Sequence, residues 1–103
     1  MNKYGLHGKL TASAGNWDSL ASILLEASKL VASAPGCQVY LVSTDVSDEN
    51  SVWVTEVWDS QADHDDSLKD QRVRELISKA MPLLAGSPEE GQTLTVLGGA
   101  GIK

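Results

Sequence analysis

The sequence predicts an α+β domain of ferredoxin-like type, β-α-β-β-α-β: a four-stranded antiparallel sheet with its helices on one face. Three observations predict it. Two β-branched, aromatic segments, CQVYLVST and SVWVTEVW, follow one another across a short polar link, as antiparallel neighbours do. Segments of helical periodicity flank that pair on both sides. Strand-like runs, YGLHGKLTA and TLTVLGG, open and close the series.

Residues 4 to 12 read as the first strand, and SAGN after them as a turn. Asn16 can cap a helix from Trp17 to about Ala34. In it Leu20, Ile23, Leu24, Ala27, Leu30 and Val31 recur at three and four, giving one broad apolar stripe. Pro35 and Gly36 end that helix, and the two central strands follow, separated by DVSDENS. Ser60 and Asp63 have the Ser-x-x-acid spacing of a capping box, which opens a short helix from Gln61 to about Lys69. Asp70 can cap the next helical segment, where Val73, Leu76, Ile77, Ala80 and Leu84 share a face. Pro82 lacks a backbone donor and kinks or ends it. Gly86 and Pro88 mark the exit loop before the last strand.

At 103 residues the chain makes one domain with a small core. An apolar fraction of 42% fits a globular chain, and no apolar run approaches the roughly 20 residues of a membrane span. MNKYGLHGKL breaks its apolar residues with glycine, histidine and lysine, unlike a secretory signal. Cys37 stands alone, which rules out an internal disulfide and fits a reducing cytoplasm. A net charge of −6, with eight scattered Lys and Arg, speaks against nucleic acid. The expected partners are small molecules or other proteins.

Strand alternation puts Trp53 and Val57 on one face of the third strand and Val52, Val54 and Trp58 on the other. The second strand likewise opposes Val39 and Leu41 to Tyr40 and Val42. Two helices cover one face only. The other would expose a patch larger than soluble monomers usually carry, so a sheet-on-sheet homodimer is expected. The alternative is that both apolar faces merely reflect core strands of a small protein.

The same reasoning applies to His64, set among six acids in EVWDSQADHDDSLKDQ. At about 100° per residue, His64, Ser67, Leu68 and Gln71 share one helix face. Asp63, Asp66 and Asp70 gather opposite, with Asp65 and Lys69 flanking, as a solvated face. The imidazole is thus expected to turn inward with Leu68. A metal role would want a second ligand at i+3 or i+4, where Ser67 and Leu68 stand, and His7 lies on a distant strand. A structural histidine and a pocket histidine both remain; imidazole titrates near neutrality, which suits the latter to proton transfer.

Glu56 shares strand parity with Val54 and Trp58, an acid among apolar neighbours. It either forms an ion pair with Arg72 or Arg74, or lies beside His64 and orients it. Trp58, Trp53 and Tyr40 are either core or stacking walls for a flat ligand. The glycines of LGGAGIK follow the last strand and open no helix, so they form no phosphate cradle.

The stretch TEVWDSQADHDDSLKDQRVRELISKAMPLLAG resembles the antibiotic biosynthesis monooxygenase family, including small quinol monooxygenase-like proteins. Its residues carrying the resemblance are Glu56 and Trp58 at the end of the third strand, His64 with Ser67 and Leu68 on the short helix, and Pro82 to Gly86. The resemblance implies a dimeric α+β barrel that oxygenates aromatic polyphenols with dioxygen and needs neither metal nor flavin. It makes His64 the proton acceptor, Glu56 its candidate orienter and Trp58 with Tyr40 an aromatic wall; Trp53, Ser67 and Leu68 are further candidates for substrate contact. Haem-degrading relatives of the same fold use an asparagine, a tryptophan and a histidine where Gly8, Ser67 and Ile77 stand here, so haem cleavage is not expected. Two other classes remain open: a non-catalytic small-molecule binding or stress-response module, and an oxygen-independent isomerase or decarboxylase using the same pocket.

Overall fold

Four strands and three helices form in the expected order in the computed structural model, which describes residues 2–86 and 90–102. They are β1 (Lys3–Thr11), α1 (Trp17–Val31), β2 (Cys37–Asp45), β3 (Asp48–Trp58), α2 (Gln61–Ser67), α3 (Gln71–Ala80) and β4 (Gln92–Val96), with a 3₁₀ turn at Met81–Leu83. The sheet order is β2-β3-β1-β4, and every pairing is antiparallel. This is the α+β ferredoxin-like fold. Among the described residues no helix is long and apolar enough to cross a membrane.

Register decides which side chains meet the helices. Tyr4, Leu6, Gly8 and Leu10 of β1 lie opposite Trp58, Glu56, Val54 and Val52 of β3, and Tyr40 of β2 lies opposite Glu56. These residues share the inner face, where Val52 and Trp58 are fully buried against the helical layer. From α1, Leu20, Leu24, Ala27 and Val31 answer them, as the stripe predicts. Each large apolar side chain so buried contributes roughly 1.5–3 kcal/mol. The outer face carries Val39, Leu41, Val57 and Leu94, of which Leu41 and Leu94 are exposed.

Several boundaries differ from expectation. Asn16 does not cap α1 with its side chain, because its amide turns back to donate to Ser13 Oγ at 2.6 Å. The helix ends at Val31 rather than Ala34, in a tighter turn where Ala34 N–H donates to Val31 C=O at 2.9 Å. DVSDENS is mostly strand, with only Val46 and Ser47 left as the turn. The Asp45 and Asp48 carboxylates accept from the Ser47 and Asn50 amides, so polar residues there build a tight hairpin. The caps at Ser60 and Asp70 are made as expected: each side chain accepts a backbone N–H, from Asp63 at 3.1 Å and Arg72 at 2.8 Å. α2 stops at Ser67 instead of Lys69, and Pro82 sits in the 3₁₀ turn that ends α3. Leu84 has left the helix and bridges Ala12. β4 ends at Val96, before the glycines. Pro88 lies outside the described residues.

Gly36 has a structural requirement of its own. Its φ is +83°, and a Cβ there would collide with the Asp63 carboxylate of α2. The bare backbone lets α2 approach the α1–β2 turn, and the Gly36 carbonyl accepts from Asp59 N–H at 2.8 Å. That approach sets where α2 lies over the sheet.

Candidate active site

His64 sits mid-way along α2 with its side chain 14% exposed, turned toward the sheet as periodicity predicts. Two aromatic rings hold it. Trp58 meets it edge-on at 5.8 Å and 77°, and Tyr4 lies tilted against it at 5.6 Å. Ser67 Oγ donates to the His64 carbonyl at 2.6 Å and closes the short helix beneath it.

The two ring nitrogens have different partners. Nδ1 is 3.0 Å from Asp65 Oδ1, and Nε2 is 4.0 Å from Glu56 Oε1. An ionised carboxylate only accepts, so in the neutral ring the proton belongs on Nδ1 and the lone pair on Nε2. At 4.0 Å the Glu56 contact is too long for a hydrogen bond, which leaves Nε2 without a donor among the described residues. Glu56 Oε1 accepts instead from Trp58 Nε1 at 3.0 Å. Burial pushes the Glu56 carboxyl above its ordinary range, against the opposing pulls of the Trp58 N–H and the His64 charge.

Tyr40 stands across from Glu56 on β2. Burial first, then the Glu56 and Cys37 charges, raise its phenol well above the usual tyrosine range, so it remains a neutral donor. Its hydroxyl has no hydrogen-bond partner among the described residues.

These groups border a cavity of about 250 Å³ between the sheet and α1, α2 and α3. Tyr40, Glu56, His64 and Ser67 supply its polar lining, and residues such as Leu10, Leu24, Val73 and Ala80 the remainder. The buried core falls into two clusters, one around Leu20, Leu24 and Val52 and one around Val31, Trp58 and Val73; the cavity is lined from both. An apolar cavity of about 150 Å³ suffices for benzene, so this one has room for a substituted ring. Leu68, Ile77 and Met81 line it and are also exposed, which places an apolar lip at its mouth.

Of the residues singled out from sequence, His64, Glu56, Tyr40, Ser67 and Leu68 converge on this cavity. Trp53 does not. It lies on the outer face, stacked on His7 at 4.7 Å with its indole N–H donating to Asp45 at 3.0 Å, so strand parity removes it from the site. Trp58 is fully buried, and its indole holds Glu56 and His64 rather than presenting a wall. The ion pair of Glu56 with arginine is not formed: Arg72 turns to Asp70 at 2.9 Å, and Arg74 is exposed. Asp65 belongs to the solvated acidic face by helix angle, yet its carboxylate is the hydrogen-bond partner of the histidine. Being 56% exposed, it carried no burial signal in the sequence. Tyr4 carries no local sign of this role either: its alternation with Leu6 and Leu10 sets the face it lies on, but not that α2 brings His64 against it. Among the described residues no group of three or more His, Cys, Asp or Glu is gathered as a metal site.

Fold and site together define a small α+β domain with an open cavity between sheet and helices and an acid and an imidazole among its polar lining. Residues 4–79 match the model of the antibiotic biosynthesis monooxygenase family, and the chain belongs to that family. A proposed antibiotic biosynthesis monooxygenase from Chloroflexus aurantiacus is 40% identical, with a TM-score of 0.88 over 98% of this chain and 99% of that one. Another from Caulobacter crescentus is 19% identical (TM-score 0.86, 94% and 92% covered), which speaks for the fold alone. The same holds for Rv0793 of Mycobacterium tuberculosis, at 14% identity, TM-score 0.84, and 95% and 98% covered. No curated protein matches the chain.

Proposed function

We propose that the protein is a monooxygenase that oxidises a quinol or related polyphenol with dioxygen, using no metal or flavin. The observation that carries this reading is the His64 Nε2 lone pair at the edge of a largely apolar cavity, with the Glu56 carboxyl 4.0 Å away. Dioxygen in its triplet ground state reacts slowly with closed-shell molecules until something gives it an electron. A phenolate can do so itself. His64 takes the hydroxyl proton, the anion passes one electron to dioxygen, and the two radicals join at carbon as a peroxide that takes the proton back from His64 to become a hydroperoxide. Loss of water then leaves a carbonyl, so the substrate supplies all four electrons. The apolar walls keep bulk water from the radical pair. Tyr40, Ser67 and Leu68 contact the ring, and Trp58 fixes the acid and the base.

The working form in this proposal is a homodimer, in which a second copy covers Val39, Leu41, Val57 and Leu94 on the outer face. Oxygen uptake over a panel of hydroquinones, with chelator present, tests the activity. His64→Ala should lower the rate at least about a hundredfold. Uptake at the wild-type rate in that variant would refute the assignment.

A further inference from the structure

We propose that the same cavity catalyses a second reaction that uses no oxygen: enolisation of a cyclic ketone, with His64 Nε2 removing the α-proton while the Tyr40 hydroxyl donates to the carbonyl oxygen.

The argument is an inventory of donors. Four polar side chains line the cavity. The Ser67 hydroxyl is spent on the His64 carbonyl, and the His64 Nδ1–H on Asp65. Glu56 accepts from Trp58, which uses the one indole N–H nearby. The Tyr40 hydroxyl alone has no partner among the described residues, although its side chain is largely enclosed. No side-chain polar atom among the described residues is sealed in without a partner, so this hydroxyl is accessible, and as a lining group of the cavity it is free to donate to an acceptor oxygen on a ligand there. Base and donor come from different elements, α2 and β2, and border the same cavity. A base beside a donor held ready for a developing oxyanion is the equipment of proton abstraction next to a carbonyl. Glu56, raised by burial, adds a carboxyl that keeps its proton to higher pH than an exposed one.

The step balances without a co-reactant. The Cα–H bond breaks and its proton moves to Nε2. Its electron pair becomes the C=C bond of the enolate, and the carbonyl π pair settles on the oxygen facing Tyr40. Reprotonation at carbon from the imidazolium, once that has exchanged its proton with water, restores the ketone. A cyclic enolate has the shape and charge of a phenolate, so one site can stabilise both.

The test is proton exchange of 2-tetralone in deuterium oxide under nitrogen, followed by NMR. Wild-type protein should exchange the α-protons at least about tenfold faster than buffer. His64→Ala should return the rate to that of buffer, and Tyr40→Phe should lower it about tenfold. A second arm measures binding: 2-naphthol should bind about tenfold more weakly to Tyr40→Phe, while naphthalene binds both proteins alike. If Tyr40→Phe does not fold, wild-type protein must still bind 2-naphthol about tenfold tighter than naphthalene. Exchange at the buffer rate, or an unchanged rate in folded Tyr40→Phe, overturns the proposal. Exchange without oxygen uptake on the hydroquinone panel would uphold it and reject the monooxygenase reading; uptake without exchange would do the reverse.

Discussion

Trp58 donates its indole N–H to Glu56 Oε1 at 3.0 Å, two residues back on the same face of β3. The strand therefore carries both the acid and the group that holds it. Fully buried, Trp58 also packs its ring edge against His64, so one side chain fixes the positions of two others. Anchoring through the core is what allows a polar pair to keep its geometry beside an open cavity.

Glu56→Gln should stabilise the protein at neutral pH while lowering activity. Burial holds the folded-state pKa above the unfolded one, so the folded state binds the proton more tightly. The wild type then loses stability as pH rises from the unfolded value, about 4.3, through the raised folded value. Glutamine keeps an acceptor for Trp58 and carries no charge to bury. Thermal melts from pH 4 to pH 8 should show the variant's advantage growing with pH; an advantage independent of pH would contradict the account.

Asp65→Asn and Asp65→Ala should differ. Asparagine can still accept from Nδ1 through its amide oxygen, whereas alanine frees the ring to change tautomer. We expect near-normal turnover in the first and a loss of about tenfold or more in the second. Nitrogen NMR shifts of the imidazole report the tautomer directly and would expose a purely structural effect.

Gly36→Ala should destabilise the fold by about 1–3 kcal/mol, since alanine at positive φ is strained and its Cβ would meet the Asp63 carboxylate. Pairing it with Asp63→Ala should recover only part of the steric cost, because the Cβ of residue 63 would itself lie 2.7 Å from the new methyl group. Denaturant titration of the single and double variants separates the two contributions.

Asp70→Ala should lower the melting temperature at pH 7 through loss of the α3 cap. The hydrogen bond from Arg72 holds the Asp70 carboxyl down to about 2. Its contribution is therefore complete above the unfolded pKa, about 3.9, and disappears as pH falls through the folded value near 2. The gap between wild type and variant should narrow as pH falls from 5 to 2, where the folded-state carboxyl is about half protonated, and a gap of constant size over that range would count against this cap.

Local pattern made most of the architecture readable. The β-branched and aromatic composition of CQVYLVST and SVWVTEVW located both central strands, and the three-four stripe from Leu20 to Val31 located α1. Helix angle alone turned His64 inward, and strand parity alone set Glu56 with Trp58 on one face. These inferences hold because side-chain direction within an element follows from backbone geometry, whatever surrounds it.

What the sequence could not fix was which elements touch. Trp53 and Trp58 are equally aromatic and five residues apart, yet only the position of the helical layer assigns one to the outer face and the other to the site. Asp65 looked like any exposed acid until the packing of α2 brought the ring nitrogen to it. The cavity is likewise a property of packing, a gap between two core clusters that no single segment encodes. Sequence by itself determined the elements and the facing of each residue, since those obey local periodicity. Tertiary structure alone decided the partners of His64 and the space beside it, because both depend on distances between segments far apart in the chain.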